Sequence, residues 1–321
     1  MIDTTQNWNL RSVAEKLDSD ASGRTLRTAT AIGSQLPTQQ DIDELVGCYR
    51  NLLFPSVFSP SDVNAKELKR NTEFILQEFC ERLQRLICWT FDIDANATRV
   101  EQGDGQAEIH AKAGAIAAKV ADLVPKIAAV VATDVDAAVE GDPACQNSIE
   151  VVICYPGFHA LMTHRFAHEL WHCGATLLAR MIAEWSHGKT GIDIHPQASL
   201  GHHLFIDHGT GVVLGQTCKV GNHVRIYQGV TLGALSFPKD EHGKIIREDK
   251  RHPTIEDHVV IYANSAILGG KTVVGHHSVI GSSVWLAESV EPFTTVVMEK
   301  PRLRFRSQQP TAFDVQFDFQ I

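Results

Sequence analysis

The chain has 321 residues, 44% of them hydrophobic and 21% charged, which is the composition of a globular protein long enough for two domains. Its formal net charge of −9 argues against a nucleic-acid-binding protein, because no strongly basic face is available to neutralise phosphates. The sequence predicts neither a secretory signal nor a membrane span of about 18 uncharged apolar residues. The 7 cysteines are scattered without CxxC spacing, which favours reduced thiols and a cytoplasmic location.

The region 1–190 is predicted to be mainly helical. Its start, 1–36, is polar with little periodicity, and we expect a mobile or weakly helical arm there. Apolar residues then recur at helical spacing after Thr38, a plausible N-cap. An alanine-rich run at 109–139 predicts one or two helices, with Pro125 marking a kink or a boundary. A further helix is predicted over 158–185.

The region from 192 to about 285 has a different period. A period of six fits neither the stripe of a helix nor the alternation of a strand, and it is typical of a hexapeptide β-helix with one inward aliphatic side chain per edge. The positions in this column are Ile194, Leu200, Ile206, Val212, Cys218, Val224 and Val230, followed after one interruption by Ile255, Ile261, Ile267, Val273 and Val279.

The interruption at 234–250 carries many charges and no aliphatic step of six, so we expect a long loop inserted at one corner of the β-helix. The fold class that follows is α+β in two domains, an all-α N-terminal domain and a left-handed parallel β-helix. The helical domain is predicted over 37–190 and the β-helix over 191–300. Residues 301–321 have no period and are predicted to form a flexible tail.

One short motif suggests a metal. His168-Glu169-Leu170-Trp171-His172 matches H-E-x-x-H on a predicted helix, in which two histidines on one face bind zinc and the glutamate acts as a general base. With 16 histidines in the chain, however, the pattern arises readily by chance, and no third ligand follows at the usual spacing. The alternative is a histidine-rich helix that packs its apolar face.

A second candidate lies in the β-helix. Asp193 and His208 are 15 positions apart, and a coil of about 18 residues brings positions at that spacing to roughly the same side of the prism. A carboxylate on one imidazole nitrogen fixes the tautomer and leaves the other nitrogen free to act as a base. The alternative is a pair of solvated corner residues.

Several segments together resemble serine O-acetyltransferase, a hexapeptide-repeat acyltransferase that commits serine to cysteine synthesis. The resemblance covers about 139–295. Its motifs, in chain order, are Asp142-Pro143-Ala144, Pro156-Gly157-Phe158-His159-Ala160-Leu161, Ile192-Asp193-Ile194-His195-Pro196, Asp207-His208-Gly209-Thr210-Gly211, Val230-Thr231-Leu232-Gly233 and Arg251-His252-Pro253.

The resemblance implies roles for individual residues. His208 would take the proton from the serine hydroxyl, with Asp193 as its orienting partner, and general base catalysis of this kind is typically worth about 10²–10⁴-fold. Asp142 and Asp207 would pair with the substrate ammonium group. The resemblance also implies direct attack on the acetyl-CoA thioester, without an acyl-enzyme and without a metal.

The rest of the implied site binds the substrate carboxylate and the coenzyme. Arg251 and His252 would hold the carboxylate, a task suited to the planar guanidinium. Coenzyme A would lie in the groove between adjacent β-helices. Its expected contacts are Gly233, Ala234, Ala263 and Ser282.

Family members form trimers of β-helices, often paired into hexamers, so the resemblance implies a homotrimer or a dimer of trimers. It further implies feedback inhibition by cysteine. Many members dock a terminal isoleucine into O-acetylserine sulfhydrylase, which suggests the same role for Ile321. This sequence has Leu232-Gly233-Ala234 where the family has Leu-Gly-Gly, which places a methyl group where the coenzyme approaches.

Other interpretations stay open from the sequence, in three classes: a different acyltransferase, a zinc enzyme and a non-enzymatic scaffold. The chain could be another hexapeptide-repeat acyltransferase, or a zinc hydrolase that uses His168, Glu169 and His172. A β-helix zinc enzyme of the carbonic anhydrase kind would use His203 and His208. A non-enzymatic scaffold that binds the sulfhydrylase through its tail is the third possibility.

Overall fold

The computed structural model describes residues 37–58, 65–97, 105–236, 241, 243, 244 and 250–299. Helices occupy the N-terminal part and short parallel strands the rest. No helix in these ranges is long and apolar enough to cross a membrane. The helices are α1 (Gln39–Leu53), α2 (Pro55–Phe58), α3 (Ala65–Ala97), α4 (Gln106–Gly141), α5 (Ser148–Cys154), α6 (Pro156–His172) and α7 (Thr176–Thr190).

Helix α1 begins as the sequence predicts. The Thr38 hydroxyl accepts a hydrogen bond from the Asp41 N–H (3.2 Å), and the Asp41 carboxylate accepts one from the Thr38 N–H (2.9 Å), which satisfies two otherwise unpaired donors. The apolar stripe of α1, with Ile42, Leu45 and Val46, is buried in the helical core. The predicted N-cap at Thr38 is therefore confirmed.

The alanine-rich run forms a single helix, which is one of the two arrangements predicted, whereas one other helix differs from the prediction. Helix α4 continues through Pro125 as one element, since a single proline removes only one hydrogen bond from a helix that is packed along its length. The single helix predicted over 158–185 is wrong. The chain makes α6 and α7 instead, and Gly174 between them has φ +93°, a left-handed angle that ends a helix.

The β-helix has three parallel faces, which we call A, B and C. Face A contains β1 (Asp193–Ile194), β4 (Val213–Leu214), β7 (Thr231–Gly233), β10 (Ala266–Leu268) and β13 (Trp285–Leu286). Face B contains β2 (Ser199–Leu200), β5 (Lys219–Val220), β8 (Thr254–Ile255) and β11 (Val273–Val274). Face C contains β3 (Phe205–Asp207), β6 (Arg225–Tyr227), β9 (Val260–Ile261), β12 (Val279–Ile280) and β14 (Thr295–Val296).

Successive coils differ in length, as the pairing on face A shows. Asp193 pairs with Val213, and Val213 pairs with Thr231, so the second coil is slightly shorter than the first. Thr231 then pairs with Ala266, which makes the third coil nearly twice as long, at the position where the sequence predicts the insertion 234–250. The pairing of Ala266 with Trp285 returns to the ordinary coil length.

These unequal coils shift the inward column that the sequence predicts. An edge can bury a strand residue and also the residue two positions before it, so that Val212 and Leu214 are both inside. The expected inward positions Val273 and Val279 are wrong. Val274 and Ile280 point inward in their place, because the corner between β10 and β11 contains one residue more than a strict period of six allows. The other strand residues in the core of the β-helix are aliphatic, as predicted: Ile194, Ile206, Leu214, Val220, Ile226, Leu232, Ile255, Ile261, Ile267 and Leu286.

The corner between faces B and C carries a column of stacked rings. Its members adopt left-handed backbone angles of 56–60°, a conformation in which histidine is more common than most side chains. Consecutive ring centroids lie 4.3, 4.7, 4.6 and 4.9 Å apart. The stacked residues are His203, His223, His258, His277 and Phe293.

A buried ion pair joins the helices to the first coil. The Arg165 guanidinium on α6 donates to the Asp134 carboxylate on α4 (3.1 Å) and to the Leu200 carbonyl (2.9 Å). Asp134 also accepts from the Leu204 N–H (2.9 Å). Near the start of α6, a Cβ added to Gly157 would lie 1.9 Å from the Ile206 carbonyl oxygen, so glycine permits direct contact between α6 and β3.

Candidate active site

The segment after β3 forms the corner between faces C and A, which we call the C–A corner. His208 adopts φ +57° there, and its side chain is 73% exposed. The Gly211 N–H donates to the Gly191 carbonyl (2.8 Å). A Cβ added to Gly209 would lie 2.3 Å from Ile192 Cδ1, so the turn rests directly on the preceding coil. This contact presents the His208 imidazole to solvent beside the first strand.

Two carboxylates accompany this imidazole. His208 Nε2 lies 3.8 Å from Asp207 Oδ1. Asp142, at the end of α4, accepts hydrogen bonds from the Tyr155 hydroxyl (2.6 Å) and the Ala144 N–H (2.8 Å). These two bonds, with a smaller contribution from nearby His208, lower the pKa of the Asp142 carboxyl below its ordinary value. Asp142 is far in sequence from the adjacent pair Asp207 and His208, and its interaction with His208 brings the three residues to one corner.

Tyr155 is the residue at this corner that the sequence did not identify. Burial and the bond to Asp142 raise the pKa of its phenol, so it donates its proton to the carboxylate. Tyr155-Pro156-Gly157 precedes α6, and its pattern indicated only a turn before a helix. The pairing with Asp142 depends on how α6 packs, which a local pattern does not contain.

Asp193 begins β1, one coil before the position of His208 in the β-helix. Its N–H donates to the Val212 carbonyl (2.9 Å), and its half-buried side chain starts on the outer side of face A, while Ile194 points inward. Among the described residues, no nitrogen–oxygen distance of 4.0 Å or less joins His208 to Asp193. The predicted contact between these two side chains therefore stays a prediction.

Arg251 and His252 lie at the other end of face A, at the corner between faces A and B, which we call the A–B corner. The Arg251 guanidinium donates to Gln216 Oε1, and Gln216 in turn donates to Gln197 (2.6 Å). His252 is only 8% exposed and packs on Gly215, where an added Cβ would lie 2.1 Å from the imidazole Cδ2. Glycine at 215 is thus required for the position of His252.

The hydrogen bonds of His252 define its tautomer. Its Nδ1 accepts from the Thr217 N–H (3.1 Å), so the ring proton is on Nε2. Burial, and then the charges of Arg251 and Lys250, lower the pKa of His252 to about 4. His252 is therefore neutral at pH 7 and offers an N–H donor, whereas Arg251 supplies a positive charge. The Lys250 ammonium donates to the Thr217 (2.8 Å) and Pro253 (3.0 Å) carbonyls and fixes this corner.

The residues expected to contact the coenzyme divide in the same way. Gly233 ends β7 and Ala234 follows it at the A–B corner, and the Gly233 carbonyl accepts from the Gly269 N–H (3.0 Å). Ala263 and Ser282 lie one coil apart at the C–A corner. Ser282 is exposed, and the N–H of its neighbour Ser283 donates to the Ala263 carbonyl (2.9 Å). Within one chain, the predicted substrate-binding residues and the predicted coenzyme contacts are therefore both divided, with half of each set at the A–B corner and half at the C–A corner.

The two zinc interpretations find less support. His203 and His208 lie at opposite ends of β3, roughly 16 Å apart at about 3.3 Å per residue, and belong to different corners. His168 and His172 are four residues apart on α6. In the described part of the chain, no group of three or more histidine, cysteine, aspartate or glutamate side chains is placed to hold a metal ion.

Comparison with known proteins identifies the family. Residues 103–163 match the family described as serine acetyltransferase, N-terminal. Over 258 residues the chain is 42% identical to a plasmid-encoded serine acetyltransferase of Synechococcus elongatus, covering 79% of either protein. The chain belongs to the serine acetyltransferase family. This membership confirms the predicted enzyme class, an acyltransferase that uses acetyl-CoA.

Other relatives agree in sequence and in fold. A Mycobacterium tuberculosis serine acetyltransferase is 47% identical over 51% of this chain and 67% of its own length. The crystal structure of Entamoeba histolytica serine acetyltransferase 1 in complex with L-cysteine superposes with a TM-score of 0.68, at 32% identity, over 83% of this chain and 88% of that chain. A Neisseria gonorrhoeae enzyme in complex with serine gives a TM-score of 0.51, at 29% identity, over 80% and 97%. The predicted fold, helices followed by a parallel β-helix, is confirmed.

Proposed function

We propose that the chain transfers the acetyl group of acetyl-CoA directly to the hydroxyl group of L-serine, with His208 as the general base. The observation that carries this assignment is the convergence of His208, Asp207 and Asp142 at an exposed corner. In the proposed step, the serine hydroxyl gives its proton to His208 while its oxygen attacks the thioester carbonyl carbon. The carbon–sulfur bond then breaks, and the coenzyme thiolate takes the proton from His208. No metal is needed for any of these transfers.

The two carboxylates bind the substrate amine in this proposal. The Asp142 carboxyl has a lowered pKa, so it is ionised at neutral pH and pairs with an ammonium group beside His208. Asp193 orients the imidazole once its side chain turns toward His208. Because a general base typically contributes about 10²–10⁴-fold, we expect His208→Ala to reduce kcat by that factor.

The substrate carboxylate would be bound by Arg251 and His252 of a second copy of the chain. The stretch of face A from Ile192 to His195 separates the two corners, a distance of roughly 10 Å at about 3.3 Å per residue. Serine is too short to span both corners of one prism. A closed trimer would place the C–A corner of one copy against the A–B corner of the next, with coenzyme A in the groove between them.

An assay of thiol release from acetyl-CoA with L-serine tests the assignment. His208→Ala should lose most of its activity and keep the fold. His187→Ala, which removes an exposed histidine on α7 paired with Glu184 (3.4 Å), should retain full activity. A His208→Ala variant with wild-type kcat would exclude the proposed base.

We also propose competitive inhibition by cysteine, which has the same backbone groups as serine with sulfur in place of oxygen. The L-cysteine complex of the Entamoeba relative supports this proposal. Docking of Ile321 into a sulfhydrylase remains a proposal from the sequence alone, because 301–321 lie outside the described residues. Deletion of Ile321 should abolish binding in a fluorescence titration, and unchanged binding would exclude the contact.

A further inference from the structure

The histidines of the H-E-x-x-H motif have no part in the proposed acetyl transfer. They lie on α6 with His164 one turn earlier, and ring centroids are 5.5 Å apart from His164 to His168 and 4.2 Å apart from His168 to His172. From Gly157, beside β3, to His172 is roughly 22 Å along the helix at about 1.5 Å per residue. His172, at the far end of this group of three rings, is therefore well separated from the C–A corner.

Hydrogen bonds define the tautomers of His168 and His172, the two histidines of the H-E-x-x-H motif. His168 Nδ1 lies 2.8 Å from the Pro196 carbonyl oxygen, and His172 Nδ1 lies 2.8 Å from the His168 carbonyl oxygen. A carbonyl oxygen only accepts hydrogen bonds, so each Nδ1 carries the proton and each Nε2 carries a lone pair. Within the described chain, no hydrogen bond to either Nε2 is present.

This arrangement is the one that metal-binding histidines adopt. Ligating imidazoles almost always donate their other N–H to a carbonyl or carboxylate, which orients the ring and raises its basicity. Histidines at i and i+4 of a helix lie on one face and direct both nitrogens to one ion. Imidazole favours divalent zinc, nickel and copper over magnesium or calcium.

We propose that His168 and His172 form a chelate site for a borderline divalent transition-metal ion such as Zn²⁺. Since the described residues contain no three-ligand group, water fills the remaining coordination positions, and the site binds metal without acting as a peptidase. The hydrogen bond from His168 to the Pro196 carbonyl connects the site to the A–B corner, where Pro196 lies. Pro196 follows His195, whose ring packs against the ring of Trp171 on α6, with 5.1 Å between the two centroids. Metal binding should therefore stabilise the contact between α6 and the first coil.

Calorimetric titration of the metal-free full-length chain with ZnCl₂ tests the site. Wild type should bind one more equivalent of Zn²⁺ than His172→Gln, or bind it at least tenfold more tightly. The thermal midpoint should rise with Zn²⁺ only when His172 is present. The matched control, His187→Gln, removes another exposed helical histidine and should behave as wild type.

A spectroscopic measurement separates this chelate from the other histidines of the chain. With one equivalent of Cu²⁺, the electron paramagnetic resonance spectrum of wild type should show coupling to two imidazole nitrogens, and His172→Gln should lose this pattern. Circular dichroism of His172→Gln checks that the exposed substitution leaves the fold intact. Equal stoichiometry, affinity and spectra for wild type and His172→Gln would overturn the proposal.

Discussion

Asp142 depends for its orientation on Tyr155, a residue 13 positions later in the chain. One carboxylate oxygen accepts from the phenol and the other from a backbone N–H, so the group is fixed before any substrate arrives. A carboxylate that is already held in one orientation pairs with an ammonium ion without losing further side-chain entropy. If Asp142 binds the substrate amine as proposed, that binding depends on the Tyr155 hydroxyl, which would not contact the reacting atoms.

Substitution of that hydroxyl tests its importance. Tyr155→Phe removes the bond to Asp142 but keeps the packing of the ring. A hydrogen bond to a charged group is worth about 1.5–3 kcal/mol, so kcat/KM for serine should fall roughly 10- to 150-fold, mostly through KM. KM for acetyl-CoA should not change. Steady-state kinetics with each substrate varied in turn measures both effects, and an unchanged KM for serine would exclude the role of Tyr155.

The site residues show what a sequence can and cannot predict. The motifs around Asp142, Asp207, His208, Arg251 and His252 are each local, so resemblance to a family identifies them without coordinates. The partners that orient them come from other elements. Thr217 and Lys250 fix His252 through bonds across the A–B corner, and Gly215 leaves room for its ring. Such partners follow from packing and have no sequence signature of their own.

At the scale of secondary-structure elements, the repeat predicts the β-helix but not its register. A period of six locates the edges, whereas the unequal steps between coils depend on how many residues each corner contains. The prediction for Val273 and Val279 is wrong for this reason. Similarly, Gly174 separates α6 from α7 by a left-handed angle, and the apolar stripe that continues across it predicts a single helix.

The contact between the helices and the β-helix includes the buried pair of Arg165 and Asp134. Removal of one partner leaves an uncompensated buried charge, which typically costs about 3–5 kcal/mol. Asp134→Ala should lower the free energy of unfolding by that amount in urea denaturation. Glu44→Ala, which breaks the partly exposed pair with Arg82, should cost only about 0–1 kcal/mol. Equal effects of the two substitutions would contradict the assigned role of the buried pair.

At the scale of the whole molecule, buried histidines should make stability depend on pH. Burial is the main cause that lowers the pKa of His195 and of His252 to about 4, from an ordinary value of 6.5. The folded chain then binds fewer protons than the unfolded chain between these values. Stability is therefore fully present above about pH 6.5 and is lost as the pH falls towards 4.

Urea denaturation midpoints measured between pH 7.5 and 4.5 test this dependence. Asp142, with its lowered pKa, loses its contribution only below its ordinary value of 3.8, outside this window. His195→Asn should reduce the slope, whereas the exposed control His187→Asn should leave it unchanged. A midpoint that stays constant from pH 7.5 to 4.5 would show that these imidazoles are not buried in their neutral form.

In the proposed function, the site is divided between two corners and is complete only in an assembly of several copies. One chain would carry the base and the amine-binding carboxylates at its C–A corner, and the carboxylate-binding Arg251 and His252 at its A–B corner. In this proposal, neither half is sufficient for catalysis. The account therefore predicts that the enzyme works only where two copies of the chain meet.

Complementation between two inactive variants tests this claim most directly. His208→Ala and Arg251→Ala should each be inactive alone. When they are co-expressed as mixed trimers, about a quarter of the interfaces should combine an intact His208 with an intact Arg251. The account predicts recovery of about a quarter of wild-type kcat in the mixture. Activity no higher than that of the separate variants would show instead that each site lies within a single chain.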